Sequence, residues 1–403
     1  MYYAKIQGMA LIPRNALLAR IENGLEHFRA LALLGARQVG KTTLLRMLGE
    51  HKRITRLFDL ENAIDFEHLA RAPQRILGEL SGIVAIDEVQ RLPELFALLR
   101  PLCDRRPLPA KFILTGSTSP TLVKGVSESL AGRCLYMDIP GLSLDEVGRE
   151  NLPQLWLRGG FPDSYTLQTD TLSLQWRRQF ITAFVERDLP QFGITSGNIP
   201  ALAMRRFWMM TAHYHGQIWN ASELARSMDA THKIMTMYRD LLAGSYMLRV
   251  LTPWFENVGK RLVKSPKVYI RDSGILHALL GLETQDDLQS SPSYGASWEG
   301  FGIEQVLSAL GEQDAYFYAT QAGAELDLML LRHGRRWGFE FKCTDAPRMT
   351  PSMRIALEDL KLQRAWIIYP GDTRYPVHEK VEALPLTAIG EVAGEMQRII
   401  AGT

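Results

Sequence analysis

The feature that most constrains the fold is the loop "GARQVGKT" at residues 35–42, which lies between the apolar run "LALL" and a helical segment. Its spacing is Gly-x-x-x-x-Gly-Lys-Thr, with Gly35, Gly40, Lys41 and Thr42 at the fixed positions. The glycines let successive backbone N–H groups turn inward, and the following helix N-terminus adds its positive dipole end. The sequence therefore predicts a strand, a phosphate-binding loop and a helix in direct succession.

This loop predicts a site for ATP and Mg²⁺. Lys41 is expected to reach the β- and γ-phosphates, and the Thr42 hydroxyl is expected to bind Mg²⁺. A chance glycine-rich loop is the alternative interpretation, but a second motif described below supports the nucleotide site. The predicted nucleotide-binding residues are Gly35, Ala36, Arg37, Gln38, Val39, Gly40, Lys41, Thr42 and Thr43.

The second motif is "GIVAIDE", in which Asp87 and Glu88 directly follow an apolar run. Asp87 is predicted to hold the Mg²⁺ shell, and Glu88 is the candidate base that orients the attacking water. The next apolar run, "KFILTGSTSP", ends in hydroxyls, and we expect Thr115 or Ser117 to position that water. A turn rich in Ser and Thr would explain either hydroxyl equally simply. The two acids indicate ATP hydrolysis and not nucleotide binding alone.

Two arginines are candidates for a contact to the γ-phosphate. Arg133 in "SLAGRC" could serve its own site or that of a neighbouring subunit, and Arg187 in "FVERDLP" has a similar claim. Ordinary surface arginines would explain both. If an arginine completes the ATP site of a neighbouring subunit, we expect the protein to form a homo-oligomer.

Composition sets broad limits on the kind of protein. At 403 residues the chain is long enough for two to four domains. Its formal net charge of +2 is ordinary for a globular protein, so any basic surface must be local. The three cysteines have neither metal-site spacing nor an even count for disulfides, which favours a reducing cytoplasm. No apolar run is long enough for a membrane span, and we expect no membrane association.

Short apolar runs alternate with helix-length segments in the first third of the chain, which is typical of a parallel sheet covered by helices. These runs are "LALLG", "ITRLFDL", "GIVAIDE" and "KFILTGS". Helical spacing then dominates, and a final α/β pattern follows the polar stretch "LETQDDLQSSPSYG". We predict an α/β protein with five segments along the chain. They are a leader (1–16), a P-loop ATPase domain (17–147), a helical lid or linker (148–215), a winged-helix-like module (216–290) and a nuclease-like α/β domain (291–403).

The segment "NASELARSMDATHKIMTMYRDLLAGSYMLRVL" fits a helix-turn-helix followed by a wing strand at 246–251. Basic residues on its second helix and on the following "VGKRLVKSPKVYIRD" predict contacts to DNA phosphates with little sequence preference. The alternative is a packing module beside a solvated basic strand. His213 and His215 have no third ligand in sequence and are interpreted as structural histidines. The predicted DNA-binding residues are Lys233, Arg239, Lys260, Arg261, Lys264 and Lys267, with His232 and Arg271 beside them.

Near the end of the chain, "AELDLMLLRHGRRWGFEFKCT" places Asp327 on one predicted strand and a Glu-x-Lys triplet, Glu340 and Lys342, on the next. Glu299 and Glu304 precede them on a predicted helix. This order resembles the restriction-endonuclease-like fold, in which the acids bind Mg²⁺ and the lysine helps to activate water. The alternatives are an ordinary hairpin and a nuclease-like domain kept for DNA binding or packing.

Seven segments together resemble the uncharacterised AAA-type ATPases of bacteria and archaea that carry a fused C-terminal domain of unknown function. These segments are "GARQVGKTTLL", "IDEVQRLPELF", "FILTGSTSP", "ESLAGR", "GGFP", "FVERDLP" and "KRLVKSPKVYIRDSGIL". The resemblance implies a P-loop ATPase core with Lys41, Thr42, Asp87 and Glu88 in the usual roles. The sequence as a whole indicates an ATP-hydrolysing, DNA-associated motor or remodeller. The alternatives are a regulatory ATPase switch that acts through protein partners and an ATP- and metal-dependent nuclease.

Overall fold

The computed structural model describes residues 11–52, 54–107, 109–118, 130, 132–191, 199–256 and 261–402. Three sheets, with five, six and three strands, organise this part of the chain. No helix within these ranges is both long enough and apolar enough to span a bilayer.

The first sheet is fully parallel, with the strand order β2-β3-β4-β1-β5. Four of its strands coincide with the predicted apolar runs, so the predicted α/β architecture is confirmed. The fifth strand, in the segment "CLYMD", was not predicted. The strands are β1 Ala30–Leu34, β2 Ile54–Asp59, β3 Gly82–Asp87, β4 Ala110–Gly116 and β5 Cys134–Asp138.

Helices cover both faces of this sheet, because its central strands are apolar on both sides. On one face the apolar core is closed by the helices that lie between β2 and β4. On the other face the core is shared with the helices that flank β1 and with helices from the middle of the chain. The helices of this first part are Asn15–His27, Lys41–His51, Ala63–Arg71, Pro73–Gly78, Leu95–Asp104 and Leu144–Val147.

The middle of the chain is mainly helical and ends in a small antiparallel sheet with the order β6-β8-β7. Two of its helices, Ala221–Met228 and His232–Gly244, pack on each other and are each capped by a polar side chain, Asn220 and Thr231. The strands are β6 Gln217–Ile218, β7 Leu248–Leu251 and β8 Lys267–Ile270. The other helices are Leu152–Arg158, Pro162–Tyr165, Asp170–Ala183, Leu189–Gln191, Ala201–His213 and Ser273–Leu280, with a π-helical turn at Phe184–Asp188.

The last part of the chain builds the six-stranded mixed sheet, with the order β13-β14-β12-β11-β10-β9. The long helix Tyr294–Leu310 packs on one face and joins a core that includes Trp298, Trp337 and Trp366. The other helices are Gln285–Ser290, Pro351–Asp359 and Ile389–Ala401. The strands are β9 Ala315–Ala319, β10 Glu325–Arg332, β11 Arg335–Phe341, β12 Arg364–Tyr369, β13 Tyr375–His378 and β14 Val381–Pro385.

Glycines let backbone pack directly on backbone where the first part meets the middle part, and also within the middle part. A Cβ atom on Gly160 would lie 2.8 Å from the Leu142 carbonyl oxygen, and one on Gly274 would lie 2.1 Å from the Arg158 oxygen. The N–H of Gly160 donates to Asp272 Oδ2 at 2.7 Å, and the N–H of Leu142 donates to the Gly160 oxygen at 2.6 Å. The first sheet and the middle helices are therefore fixed to each other at close range.

Candidate functional site

The phosphate-binding loop connects β1 to the helix that begins at Lys41. Gly40 caps that helix with φ 96°, a conformation that favours glycine. Gly35 has a different reason to be glycine, because a Cβ atom there would lie 2.4 Å from the Ile139 carbonyl oxygen. The loop therefore has the compact form that its sequence spacing predicts.

Lys41 is buried, and its ammonium donates to two loop carbonyls. Nζ lies 3.0 Å from the Gly35 oxygen and 2.9 Å from the Ala36 oxygen, and it is 4.0 Å from Glu88 Oε1. Burial lowers the pKa of Lys41, although Glu88 and Asp87 oppose this effect. The ammonium thus sits among neutral carbonyls, with its nearest carboxylate at the limit of an ion pair.

Asp87 ends β3 at the carboxyl edge of the sheet, beside the start of the Lys41–His51 helix. The Thr42 hydroxyl donates to Asp87 Oδ2 at 2.7 Å, and the Thr115 hydroxyl donates to Oδ1 of the same carboxylate. A hydroxyl and a carboxylate in contact offer the oxygen ligands that Mg²⁺ prefers. The residues predicted to hold Mg²⁺ lie together.

Glu88 follows Asp87 and adopts a left-handed conformation, with φ 56°. Its Oε2 accepts from the Ser117 hydroxyl at 3.0 Å and from the Gln90 amide, and that amide also donates to Ser117 Oγ at 2.9 Å. The N–H of Glu88 donates to Thr115 Oγ1 at 3.2 Å. Ser117 and Gln90 therefore direct the carboxylate, and Thr115 fixes the main chain of Glu88. Strain of this kind is common at catalytic positions.

Arg37 in the loop is held from two sides. One guanidinium nitrogen pairs with Asp188, and the other lies 2.8 Å from Glu61 Oε1. Asp188 belongs to the segment "FVERDLP", in which Arg187 was a candidate for a contact to the γ-phosphate. Arg187 is exposed, and its neighbour Asp188 is the residue of this segment that contacts the loop.

Arg133 lies at the opposite edge of the sheet from the phosphate-binding loop. It directly precedes β5, whose first residue pairs with Ala30 at the start of β1, whereas the loop follows the end of β1. The length of the strand separates the two by about 13 Å. Arg133 binds Asp104 through two contacts of 2.8 Å. A contact of Arg133 to the phosphates of its own chain is therefore wrong, and a contact to a neighbouring subunit stays a prediction.

The second group of predicted site residues forms an acidic cluster in the last part of the chain. Asp327 on β10 and Glu340 on β11 are both buried, and Asp327 Oδ2 accepts from the Phe341 N–H at 2.9 Å. Lys342 pairs with Glu340 at 2.8 Å. The pairing of β10 with β9 shifts in register between Leu326 and Met329, and such irregularities re-aim side chains.

Glu299 on the long helix completes this cluster through a lysine from another part of the molecule. The Lys267 ammonium, on β8, lies 3.0 Å from Glu299 Oε1 and 3.8 Å from Asp327 Oδ1, and it also pairs with Glu325. Burial raises the pKa of Asp327 well above its usual value and raises that of Glu340. We call Glu299, Glu325, Asp327, Glu340, Lys342 and Lys267 the acidic cluster.

Glu304 does not belong to the acidic cluster. It lies five residues beyond Glu299, which places it about 140° further around the helix. There it binds Arg249 at 2.9 Å and Arg271 at 3.2 Å, and both arginines also bind Glu312. The prediction of Glu304 as a metal ligand is wrong because the helix places its side chain on a different side from the acidic cluster.

The predicted DNA-binding residues that the structure describes differ in how exposed their side chains are. Lys267 is buried in the acidic cluster and cannot contact DNA there, so this prediction is wrong, and Arg271 is likewise held by Glu304 and Glu312. Arg239 is half-buried, pairs with Asp240 at 2.7 Å and lies over the Trp219 ring. Lys260 lies outside the described residues. The side chains that remain exposed are Lys233, Arg261 and Lys264, with His232 beside them.

The two histidines of "AHYHG" lie in different environments. His213 is exposed, and His215 is buried with its Nδ1 accepting from the Ile270 N–H at 3.0 Å. Burial lowers the pKa of His215 to about 3. As the described residues are arranged here, no group of three or more His, Cys, Asp or Glu side chains is placed to hold a metal ion, and in the acidic cluster the Lys267 ammonium lies between the carboxylates.

The ATPase residues fit the groups that the sequence implies. A buried ammonium bonded to neutral carbonyls suits phosphate oxygens, and the Thr42–Asp87 pair suits Mg²⁺. Sequence reasoning missed Gln90, although it follows Glu88 by only two residues. It also missed Arg14, which donates to the carbonyls of Pro140 and Gly141 at 3.0 Å and to Glu146.

Three family models match the chain. An AAA domain matches residues 27–148, and two domains of unknown function match residues 149–286 (DUF8612) and 294–389 (DUF4143). The first and third matches confirm the predicted arrangement of an AAA-type ATPase domain followed by a C-terminal domain of unknown function. The match at 149–286 runs across the predicted boundary between the helical linker and the winged-helix-like module.

Two solved structures are similar in part, a Walker-type ATPase of Pyrococcus abyssi and the RuvB Holliday junction branch migration motor of Thermotoga maritima. The first has 16% identity and a TM-score of 0.47, covering 67% of this chain and 96% of that protein. The second has 17% identity and a TM-score of 0.31, covering 60% of this chain and 90% of that protein. At these scores neither neighbour bears on function.

Two uncharacterized proteins, one of Mycobacterium bovis and one of Mycobacterium tuberculosis, match over nearly the whole chain. Each is 46% identical over 379 residues, which cover 94% of this chain and 85% of the relative. An alignment of this length and identity indicates common ancestry of the whole arrangement. The chain therefore belongs to the family of these two mycobacterial proteins, and its residues 27–148 form an AAA domain.

Proposed function

We propose that this protein hydrolyses ATP in the presence of Mg²⁺ and uses the hydrolysis to drive a DNA-associated motor or remodeller. The observation that carries the ATPase part is the convergence of Lys41, Thr42, Asp87, Glu88 and Ser117 at one edge of the first sheet. The five residues come from three separate segments, which makes a chance arrangement a poor explanation.

In this proposal each side chain has a separate task. Lys41 holds the β- and γ-phosphates, and Thr42 with Asp87 holds Mg²⁺, which would neutralise the charge that develops on the phosphate oxygens. Glu88 orients a water molecule and accepts its proton. Ser117 and Gln90 fix the direction of the Glu88 carboxylate, since both donate to its Oε2.

The DNA part of the proposal is supported by the exposed cations of the middle part of the chain. Lys233 lies on the second helix of the predicted winged helix, and Arg261 and Lys264 precede β8. That helix, His232–Gly244, shares an apolar core with the ATPase sheet, so it is attached to the element that would change with the nucleotide.

An ATPase assay with duplex, single-stranded and branched DNA tests this role. We expect turnover to rise with DNA and DNA affinity to fall steeply as salt rises. Reversing the charges of Lys233, Arg261 and Lys264 together should weaken all DNAs alike and reduce the salt dependence, whereas Lys380→Glu, a reversal of an exposed lysine far along the chain, should not. Unchanged affinity in the triple variant would instead favour a regulatory switch that acts on protein partners.

Assembly into a homo-oligomer is part of the same proposal. Arg133 lies at the sheet edge opposite the loop, where it could face the site of a neighbouring subunit. Light scattering should then show that ATP favours assembly, and Arg133→Ala should lower turnover without abolishing ATP binding. A fully active ATP-bound monomer would contradict the shared site.

A metal-dependent nuclease is the second candidate function, and the observation that favours it is the convergence of Asp327, Glu340, Lys342 and Glu299. Carboxylates on adjacent strands beside a lysine suit a divalent cation and an activated water. Incubation of supercoiled DNA with Mn²⁺ or Mg²⁺ tests it. Nicking that is lost in both Asp327→Asn and Lys342→Ala supports it, and DNA left intact by the wild-type protein contradicts it.

A further inference from the structure

The acidic cluster already contains a cation, and that cation comes from the middle part of the chain. The Lys267 ammonium is within 3.0 Å of Glu299 Oε1 and 3.8 Å of Asp327 Oδ1, and it pairs with Glu325 as well. The lysine is only 4% exposed. Its carboxylate partners are contributed by the long helix and by β10, so one ammonium joins two elements of the last domain.

The cluster still has a deficit of positive charge. Four carboxylates face two ammonium groups, Lys267 and Lys342. Glu340 is only 5% exposed, and its Oε2 makes no hydrogen bond to any residue within the described ranges. Burial, with Glu299 as a neighbouring charge, raises the pKa values of Asp327 and Glu340. A divalent cation in place of the Lys267 ammonium would reduce this deficit and offer a partner to the unpaired oxygen.

We propose that the acidic cluster is a divalent-cation site in which Lys267 occupies the position of the metal, and that a shift of β8 together with its hydrogen-bonded neighbours β6 and β7 admits the ion. The donors are carboxylate oxygens, which suit Mg²⁺ or Mn²⁺. The inference rests on the second candidate function, because it uses the same carboxylates. It concerns which cation occupies the cluster, the Lys267 ammonium or a divalent metal ion, and not the reaction that follows.

The position of β8 explains how the first domain can control this site. Lys267 begins the strand and Arg271 directly follows it, about 13 Å away along an extended chain. Lys267 binds Glu299 and Arg271 binds Glu304, so both ends of the strand are tied to the same long helix. A shift of the strand therefore breaks both contacts together.

The Arg271 end of β8 lies beside the ATPase sheet. Tyr246 lies under the Arg271 guanidinium, which is 5.7 Å from its ring centre, and the Tyr246 hydroxyl donates to Asp138 Oδ1 at 3.4 Å. Asp138 ends β5, whose neighbour β1 leads into the phosphate-binding loop. A displacement of β5 at this edge of the sheet would therefore be transmitted to the acidic cluster through β8.

Metal binding to the full-length, nucleotide-free protein tests the proposal. All variants carry Asp87→Asn, so that the ATPase metal site does not contribute. We expect Lys267→Met to bind Mn²⁺ at least about tenfold more tightly than the parent, measured by calorimetry and by electron paramagnetic resonance, because a competing charge is gone. Lys380→Met, which removes an exposed lysine, should match the parent, and adding Asp327→Asn to Lys267→Met should abolish the gain. Equal Mn²⁺ affinity in the parent and in Lys267→Met would overturn the proposal.

A second variant and a measurement on the wild-type protein keep the proposal testable if Lys267→Met does not fold. Lys267→Gln keeps a polar side chain while removing the charge, and should bind Mn²⁺ more tightly as well. In the wild-type protein, acylation of amines followed by mass spectrometry should show Lys267 protected without metal and more strongly labelled at high Mn²⁺, with labelling of Lys380 unchanged. Labelling of Lys267 that does not respond while the cluster binds Mn²⁺ would show that the lysine does not leave.

The same proteins separate this inference from the nuclease candidate. If Lys267→Met binds Mn²⁺ more tightly but leaves DNA intact, the exchange of lysine for metal stands and the nuclease fails. If the wild-type protein cleaves DNA and Lys267→Met gains no Mn²⁺ affinity, the exchange fails and the nuclease stands.

Discussion

Lys41 in the phosphate-binding loop and Lys267 in the acidic cluster are each only 4% exposed, yet their pKa values move in opposite directions. Burial lowers the pKa of Lys41, whose ammonium bonds to two neutral carbonyls. Burial acts in the same sense on Lys267, but Tyr269, Glu299 and other acidic neighbours outweigh it and raise its pKa well above the usual value. The difference lies in the counter-charge that each lysine has within the protein.

This contrast indicates what each site can accept. The Lys41 site is a buried cation with little compensation, so an anion such as a phosphate chain would relieve it. The Lys267 site is a group of carboxylates that already holds a cation, so only another cation can replace it. The two sites therefore respond to ligands of opposite charge.

The largest expected effect is on ATP turnover. Its absence would contradict the interpretation of the Lys41 site as a site for phosphate. Lys41→Ala should weaken ATP binding, because the phosphates lose their buried cation. Glu88→Gln should bind ATP normally but slow turnover by about 10²- to 10³-fold, because water is no longer oriented. Equilibrium binding and steady-state hydrolysis measure the two defects. Lys52→Ala, just beyond the same helix and exposed, is the matched control, and full turnover in either site variant would refute the assignment.

The next effect compares the two lysines directly through stability. Removing Lys267 leaves buried carboxylates without their cation, so Lys267→Met should lower the free energy of unfolding by about 3 kcal/mol. Removing Lys41 relieves a buried charge, so Lys41→Met should change it by less than about 1 kcal/mol in the nucleotide-free protein. Chemical denaturation measures both. Equal losses in the two variants would mean that the opposite pKa shifts do not reflect the energetics of the sites.

The smallest effect uses pH and concerns His277, a buried histidine whose Nε2 lies 2.7 Å from Oγ of Ser297 on the long helix. Burial lowers the pKa of His277 to about 3 from the usual value of 6.5, so between these values the unfolded chain binds more protons. Stability from the neutral imidazole is therefore present above pH 6.5 and is lost as the pH falls below it. Between pH 6.5 and 5.5, wild-type protein should lose about 1 kcal/mol relative to His277→Gln.

Measuring this difference cancels an opposite contribution from Asp272. Burial raises the pKa of Asp272 to about 6, so the folded state binds the extra proton and gains stability as the pH falls through 6. Denaturation curves at several pH values measure the difference. Parallel pH profiles for the wild type and His277→Gln would show that the histidine does not titrate on unfolding.

The ATPase site could be predicted from sequence because its parts are local. Of the predicted site residues, Asp87, Glu88 and Ser117 lie at or just beyond the ends of apolar strands, and the carboxyl ends of parallel strands meet at one edge. The same rule failed for Arg133 because the segment "CLYMD" was not recognised as a strand, so the edge on which Arg133 lies was not assigned. Gln90 and Arg14 were missed because their roles depend on which neighbours the fold brings to them.

The acidic cluster was predicted only in part for a related reason. The pairing of β10 with β11 follows from two adjacent runs, so Asp327 and Glu340 were expected together. The choice between Glu299 and Glu304 depends on how the long helix is rotated against the sheet, which periodicity alone does not give. Lys267 belongs to a separate basic stretch, and its charge predicted DNA contact because its carboxylate partners are distant in sequence.

The glycine contacts of backbone with backbone have a consequence for mutational tolerance. At Gly160 and Gly274 any side chain would meet a main-chain oxygen, at 2.8 Å and 2.1 Å from the new Cβ, and a main-chain atom has no alternative rotamer with which to yield. A saturation-mutagenesis library should therefore be depleted at these two positions as strongly as at Gly35. In such a library, invariance at Gly160 would record the junction of the first part with the middle part, and invariance at Gly274 would record packing within the middle part. Ranking positions by invariance alone would mistake both for catalytic positions.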